Sequence, residues 1–125
     1  MTALSERVLQ AWNGKEGPVV LATVDAQGIP NIIYATCVQL FGDDRVVVAD
    51  NYFDKTRKNL LEGNQRGSLL FLHQDGKAYQ IKGGLEYHTE GALFDFMKTW
   101  NPVKHPGRAA AVLKVEECYS GAERI

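Results

Sequence analysis

The residues best suited to chemistry lie where an apolar run gives way to a helix. Residues 45–49 form a β-branched strand pattern, and a polar turn then leads to Lys55 and Thr56 at the start of a predicted helix. Free backbone N–H groups, the positive end of the helix dipole, an ammonium group and a hydroxyl group would together favour a phosphate there. The alternative is a surface helix that Asp54 caps, with Lys55 and Arg57 in water.

The rest of the sequence shows no pattern typical of catalysis or metal binding. His73, His88 and His105 are scattered without metal-ligand spacing, and Cys37 and Cys118 lie far apart. A Ser-His-Asp or Cys-His arrangement could still assemble in space, but no nucleophile lies in a recognisable elbow. We therefore predict no metal site, and we expect a bound cofactor to supply any chemistry.

Length and composition predict a single domain over residues 1–125. The chain is 45% hydrophobic, which is enough for one core. Its net charge of -1, without any block of like charge, argues against nucleic acid as a partner. Two cysteines do not make a disulfide framework, so we expect a cytoplasmic location. We also expect no signal peptide and no membrane span, because the N-terminus is polar and no apolar stretch nears 18 residues.

The hydrophobic pattern predicts a mainly β protein with three short helices and a small antiparallel barrel. The first three strands, joined by short turns, are expected to form a meander. Gly83-Gly84 suggests a bulge or a close backbone approach within the fifth strand, and the tail from Cys118 is expected to be irregular. Helices are predicted over residues 2–13 and 55–62, and a third helix is predicted after Glu90-Gly91, where Leu93, Phe94, Met97 and Trp100 have helical spacing. Strands are predicted over residues 18–24, 30–39, 45–49, 67–74, 77–90 and 108–116.

Several short motifs follow one another in a characteristic order. Residues 20–30 read VLATVDAQGIP, residues 55–60 read KTRKNL, residues 64–70 read NQRGSLL and residues 81–83 read IKG. This ordered set resembles the pyridoxamine 5'-phosphate oxidase-like FMN-binding split barrels, and the layout is most similar to the small bacterial FMN-binding proteins of that superfamily. The resemblance implies a six-stranded antiparallel split β-barrel that holds FMN in a groove at a homodimer interface.

The resemblance also implies which residues contact the cofactor. Lys55 and Thr56 match the residues that contact the FMN phosphate. The strand end and loop that run beside the ribityl chain and ring match Val48, Ala49, Asp50, Asn51 and Tyr52. The second-strand segment that lies against the ring matches Tyr34, Ala35, Thr36 and Cys37. Trp100 and Arg108 lie in the region that relatives bring across from the partner subunit.

The chain departs from the larger relatives at two points, and the first of them argues against vitamin B6 oxidation. The chain lacks the C-terminal Arg-x-x-Pro-type substrate motif, and its second-strand segment has no arginine for the FMN phosphate. We therefore expect an FMN-dependent oxidoreductase or electron-transfer protein with a small-molecule electron donor or acceptor. A non-catalytic flavin carrier or redox sensor stays open, as does a deazaflavin in place of FMN. The acidic balance disfavours an oligonucleotide-binding barrel.

Overall fold

The computed structural model describes residues 3–125, and β-strands make up about half of it. No helix among these residues is long and apolar enough to cross a membrane. The elements in chain order are α1 Glu6–Asn13, β1 Lys15–Val24, β2 Pro30–Ala35, β3 Val38–Phe41, β4 Arg45–Asp50, α2 Lys55–Glu62, β5 Asn64–His73, β6 Ala78–His88, α3 Ala92–Trp100, β7 Ala109–Ser120 and β8 Glu123–Arg124.

All the strands belong to one curled antiparallel sheet. Their order is β2-β1-β5-β6-β7-β4-β3, and the short β8 pairs with the end of β7. The curl makes the sheet a half-open barrel, which confirms the predicted split β-barrel class. The sheet contains eight strands, two more than the sequence pattern predicts, because one predicted strand is divided and the tail adds another.

The strand predicted over residues 30–39 is in fact two strands at opposite edges of the sheet. Residues 30–35 pair with β1, whereas residues 38–41 pair with β4, so the predicted meander is wrong. Thr36 and Cys37 lie at the break. Both halves are rich in β-branched and aromatic residues, and no glycine or proline separates them, so the local sequence gives no sign of the break.

The tail is more regular than predicted. β7 continues to Ser120, and residues 118–120 pair with residues 79–81 of β6. Cys118 is buried in the main core, and the turn after Ser120 returns the chain as β8. The expectation of an irregular tail from Cys118 is therefore wrong, because burial of that side chain extends the pairing.

The three helices pack on different strands of the sheet: α1 on β5, α2 on β1, β2, β5 and β6, and α3 on β4 and β7. Ser5 Oγ accepts a hydrogen bond from the Val8 amide and starts α1, while the predicted start at Thr2 lies outside the described residues. Helix α3 packs Leu93 and Met97 against the outer face of β4 and β7. β4 is therefore buried on both faces, and this double burial explains its unbroken apolar sequence.

A close backbone approach occurs in β6, as the sequence predicts. The register of β6 against β7 shifts between Lys82 and Gly83. A Cβ atom on Gly83 would overlap the carbonyl oxygen of Lys114, whereas a Cβ atom on Gly84 would meet nothing nearer than 3.7 Å. Of the two adjacent glycines, only Gly83 has no room for a side chain.

Candidate functional site

A cleft of about 300 Å³ opens where the ends of β2 and β4 meet the N-terminus of α2. It gathers nine of the twelve residues predicted to bind a cofactor. The segment after β2 supplies Tyr34, Ala35, Thr36 and Cys37. The end of β4 and its loop supply Ala49, Asn51 and Tyr52, and α2 supplies Lys55 and Thr56. The break between β2 and β3 therefore forms one wall of this cleft.

Val48, Asp50 and Trp100 do not line the cleft. Successive side chains of a strand point to opposite faces. Ala49 faces the cleft, so Val48 and Asp50 turn away from it, and both are buried. Their side chains therefore do not line the cleft, and the cofactor contacts that the resemblance implies for them stay a prediction. Trp100 packs against Phe96 on α3, and a contribution from it to a partner's cleft stays a prediction.

The N-terminus of α2 is open toward the cleft. Asp54 occupies the N-cap position, but its side chain makes no capping hydrogen bond among the described residues. The predicted alternative is therefore confirmed in the position of Asp54 as N-cap and in the exposure of Lys55, whereas Arg57 is paired with Asp50 and is not simply solvated. The first intrahelical bond runs from the Lys58 amide to the Asp54 carbonyl at 3.1 Å, so the amides of residues 55–57 have no acceptor within the helix. Lys55 is exposed beside them.

A polar pair fixes the hydroxyl group at this helix start. The Asn31 side-chain amide donates to Thr56 Oγ1 at 3.1 Å, and Thr56 is 1% exposed. Because the hydroxyl accepts this bond, its own hydrogen stays available to donate to an anion. Asn31 was not among the predicted site residues, although a polar residue within an apolar strand was a usable signal.

Asp50 organises the loop between β4 and α2. Arg57 donates to both carboxylate oxygens of Asp50, at 2.7 and 2.9 Å, and the Phe53 amide and the Tyr87 hydroxyl also donate to them. Burial alone would raise the pKa of the Asp50 carboxyl, but these hydrogen bonds outweigh it and hold the pKa below 3.8. Burial and the bond to Asp50 raise the pKa of Tyr87 to about 12.

A second loop brings a histidine to the cleft. The side chains of Asn51 and Asn101 exchange two hydrogen bonds, at 3.0 and 2.8 Å, and the Gly107 amide donates to Asn51 at 3.0 Å. The anchored loop places His105 Nδ1 at 3.1 Å from the Tyr52 hydroxyl, and both side chains line the cleft. The sequence does not predict this position of His105, because it depends on a contact between distant loops.

The two ends of the cleft differ in chemistry. At one end are open helix amides, Lys55 and the Thr56 hydroxyl. At the other end the lining includes Ile33, Ala35 and Ala49. An elongated ligand with an anionic group at one end and a flat apolar body at the other would satisfy both ends.

Comparison with known proteins gives consistent matches over nearly the whole chain. The family model described as pyridoxamine 5'-phosphate oxidase matches residues 5–120. An uncharacterised protein of Methanocaldococcus jannaschii is 30% identical over 107 residues, which are 82% of this chain and 71% of that protein.

Solved structures match the whole fold. HupZ of Group A Streptococcus has a TM-score of 0.81 at 25% identity, covering 94% of this chain and 93% of that one. An FMN-binding protein of Syntrophomonas wolfei has a TM-score of 0.75 at 25% identity, covering 89% and 81%. The haem storage protein HutZ of Vibrio cholerae and an F420 reductase, each 16% identical, show the fold alone. The names of the last three proteins mention three different cofactors, which are FMN, haem and F420.

Proposed function

Because the chain belongs to the pyridoxamine 5'-phosphate oxidase family, as its motifs predict, we propose that it is an FMN-binding redox protein. FMN would lie in the cleft between β2, β4 and α2, and the site would be completed by a second copy of the chain. When bound, FMN supplies hydride or electron transfer. The residues of this chain bind and orient it, and the electron donor or acceptor would be a small molecule.

The main observation that supports this proposal is the open N-terminus of α2. Three helix amides without internal acceptors, the exposed Lys55 and the Thr56 hydroxyl converge at one end of the cleft. A phosphate bound there would receive charge-assisted hydrogen bonds, which are worth about 1.5–3 kcal/mol each. The helix dipole adds about 0.3–1 kcal/mol in such settings. An anion is therefore the ligand group that this end of the cleft favours most.

The apolar end of the cleft suits the isoalloxazine ring of FMN. Ile33, Ala35 and Ala49 offer apolar surface, and Cys37 stands beside them. The Asn51 side chain is already bonded to Asn101 and Gly107, so it shapes the wall and leaves backbone groups to meet the ribityl chain. Tyr52 and His105 border the opening, where they could contact a substrate that approaches the ring.

An exposed apolar sheet face supports the homodimer. Ile32, Tyr34, Leu70 and Leu72 are 69%, 76%, 43% and 48% exposed on β2 and β5. Val20 of β1 pairs with both Tyr34 and Leu70, so these side chains form one surface. Contiguous apolar patches of this kind mark interaction sites. We call Val20, Ile32, Tyr34, Leu70 and Leu72 the apolar sheet face.

The apolar sheet face adjoins the cleft. Tyr34 lines the cleft and also borders the groove on the apolar sheet face. A cleft of about 300 Å³ lies at the small end of the range for ligand sites. A second copy seated on this face would therefore enlarge and close the site, as a two-fold symmetric dimer does for both of its sites at once.

An absorption spectrum of the purified protein, with identification of the released cofactor, tests the proposal. If the protein is purified with flavin bound, we expect it to show the two absorption bands of oxidised flavin. If it is colourless, we expect the absorption bands of added FMN to shift when the protein binds it. Protein that is colourless and leaves the fluorescence of added FMN unchanged would refute the proposal. A haem spectrum or a released deazaflavin would replace FMN with one of the cofactors named among its structural neighbours.

The second candidate is a flavin carrier or redox sensor without turnover. It uses the same cleft contacts, and one observation favours it. Among the described residues that line the cleft, Asp54 is the single carboxylate and His105 the single imidazole, so the cleft holds few groups for acid-base work. Steady turnover of the FMN-loaded protein with a nicotinamide donor and an electron acceptor would exclude the carrier.

A further inference from the structure

The loop of residues 101–108, between α3 and β7, is held at several points. At its end, the Arg108 amide donates to the Asp50 carbonyl at 2.8 Å. Within it, the Lys98 ammonium group donates to the Pro106 carbonyl at 3.0 Å. These two bonds add to the asparagine pair described above. The side chains that the loop brings to the cleft are therefore preorganised, which lowers the entropy cost of binding a ligand.

His105 is oriented through both its backbone and its ring. Its amide donates to the Pro102 carbonyl at 3.0 Å, and its Nδ1 lies 3.1 Å from the Tyr52 hydroxyl group. The two rings also pack edge to face, with their centres 5.5 Å apart. His105 is partly buried and lines the cleft. Its imidazole is therefore held in place at the cleft by contacts that do not involve a ligand.

The contact with Tyr52 determines which nitrogen of the neutral His105 ring carries the hydrogen. A phenol is a far stronger acid than a neutral imidazole N–H, so the Tyr52 hydroxyl group donates to Nδ1. The neutral ring then carries its hydrogen on Nε2. This second nitrogen makes no hydrogen bond with the described residues. The pair therefore presents one oriented N–H donor whose acceptor is not part of the described chain.

We propose that His105 Nε2 donates a hydrogen bond to the carbonyl oxygen of an electron acceptor, and that Tyr52 positions the His105 ring for it. This inference rests on the proposed flavin site in the cleft. The acceptor would be a planar conjugated ketone or quinone, because such a molecule lies flat against a flavin and carries its oxygen at its edge. Negative charge builds on that oxygen when the acceptor takes electrons, and a donor already in place stabilises it without reorganisation.

The charges near His105 favour an oxygen that becomes negative. Lys104 precedes it and Arg108 follows it in the same loop, and both side chains are exposed. Neither forms a salt bridge with the described residues. Asp54 is the single carboxylate among the described residues that line the cleft. The excess of positive charge attracts electron-rich ligands and disfavours a cationic acceptor.

Titration of the FMN-loaded protein with para-cyanophenol in alkaline buffer tests the inference. The ionised oxygen of this probe stands in for the carbonyl oxygen as it gains charge. An electron-rich phenolate against oxidised FMN gives a long-wavelength absorption band, which yields a dissociation constant without any turnover. Benzonitrile is the matched probe without the oxygen, and its binding is read from displacement of the phenol. We expect wild type to bind the phenol at least about tenfold more tightly than benzonitrile, because a hydrogen bond to a charged oxygen is gained.

Variants separate this hydrogen bond from a structural effect. His105→Leu should weaken binding of para-cyanophenol about tenfold. His105→Gln retains an N–H donor near the position of Nε2 and should stay within about threefold of wild type. Tyr52→Phe should weaken binding about threefold, because the imidazole loses the bond that orients it. The FMN affinity of all three should change less than about twofold. His88→Leu is the control, since His88 bonds to Glu86 and does not line the cleft; it should alter neither affinity.

The outcomes separate the inference from the proposed function. FMN-loaded wild type that binds para-cyanophenol no more tightly than benzonitrile overturns the inference and leaves the FMN site intact. A His105→Leu variant that binds the phenol as wild type does also overturns it. So does a His105→Leu variant that loses FMN and phenol affinity alike, or a His105→Gln variant that binds no better than His105→Leu. Wild-type protein that binds no FMN refutes the proposed function, and this inference with it.

Discussion

Asp50 shows how a single residue can serve a site without lining it. Its carboxylate receives hydrogen bonds from Arg57, Tyr87 and the Phe53 amide, and its own carbonyl accepts from the Arg108 amide at 2.8 Å. These bonds tie β4, the loop to α2, β6 and the start of β7 together. Lys55 begins the helix that follows this loop, and Arg57 of the same helix binds Asp50, so Asp50 is a positioning residue for the proposed phosphate site.

Asp50→Asn should destabilise the protein by about 2–4 kcal/mol at neutral pH, because it removes the fully buried carboxylate that binds the partly exposed Arg57 at both oxygens. The sign of the pH dependence follows from the pKa. The folded state holds the pKa of Asp50 below 3.8, so the carboxylate adds stability above pH 3.8, and this contribution is lost as the pH falls further. Urea unfolding across this range should therefore show the two proteins converging toward acid.

Asp43→Asn is the matched control for this experiment. Asp43 is exposed in the turn between β3 and β4, and its side chain forms no salt bridge with the described residues. We expect a change of less than about 0.5 kcal/mol. A stability difference between wild type and Asp50→Asn that stays constant into acid would show that the ionised carboxylate does not stabilise the fold.

At the residue scale, the sequence predicts those site residues that depend on a local signal better than those that depend on contacts between distant segments. Lys55 and Thr56 follow from a helix start, which is a local signal. The sequence could not show that the side chain of Asp50 is turned away from the cleft, because the direction of a strand side chain depends on which face is covered. His105 was missed because only the Asn51–Asn101 contact brings its loop to the cleft. A contact between residues that are far apart in the sequence cannot be predicted from the spacing of residue types.

At the element scale, the breaks in strands position the site. The interruption at Thr36 and Cys37 lets β2 and β3 diverge to opposite sheet edges, and the interrupted segment lines the cleft. The sequence predicts the helix at residues 55–62 and the glycine irregularity in β6. It does not predict the division of residues 30–39, because strand propensity is uniform across the break.

Gly83→Ala and Gly84→Ala form a matched pair that tests the close approach of β6 and β7. The added methyl group of Gly83→Ala would overlap the Lys114 carbonyl, so we expect a loss of about 2–3 kcal/mol, as for other overpacked sites. Gly84→Ala meets nothing nearer than 3.7 Å and should change stability by less than about 1 kcal/mol. Thermal or urea unfolding of the two variants measures the difference.

Equal stability of the two variants would contradict the assigned register of β6 against β7. A larger loss in Gly84→Ala would place the bulge one residue later.

At the scale of the whole molecule, the apolar sheet face lies exposed beside the cleft. Four large apolar side chains of β2 and β5 are between 43% and 76% exposed. The sequence could not show this face, because strands β2, β1 and β5 become neighbours only through long-range pairing. The homodimer inferred from the family resemblance remains a proposal, and this face is where we expect its interface.

Leu70→Lys should convert a dimer to a monomer and weaken FMN binding about tenfold, because it places a charge in the centre of the proposed interface. Leu61→Lys is the control, since Leu61 is also exposed, at 57%, but lies on α2 away from this face. Light scattering gives the mass, to be compared with 13.9 kDa for one chain. A wild-type protein that is monomeric and still binds FMN tightly would contradict the shared site.

The central claim is that the N-terminus of α2 binds the phosphate of a flavin. Titration of wild type and Lys55→Ala with FMN and with riboflavin, which lacks the phosphate, tests it most directly. We expect riboflavin to bind wild type at least about tenfold more weakly than FMN, since a charged contact contributes about 1.5–3 kcal/mol. Lys55→Ala should lose most of that preference without losing affinity for riboflavin. Equal binding of FMN and riboflavin by wild type, or an equal loss of both in Lys55→Ala, would contradict the claim.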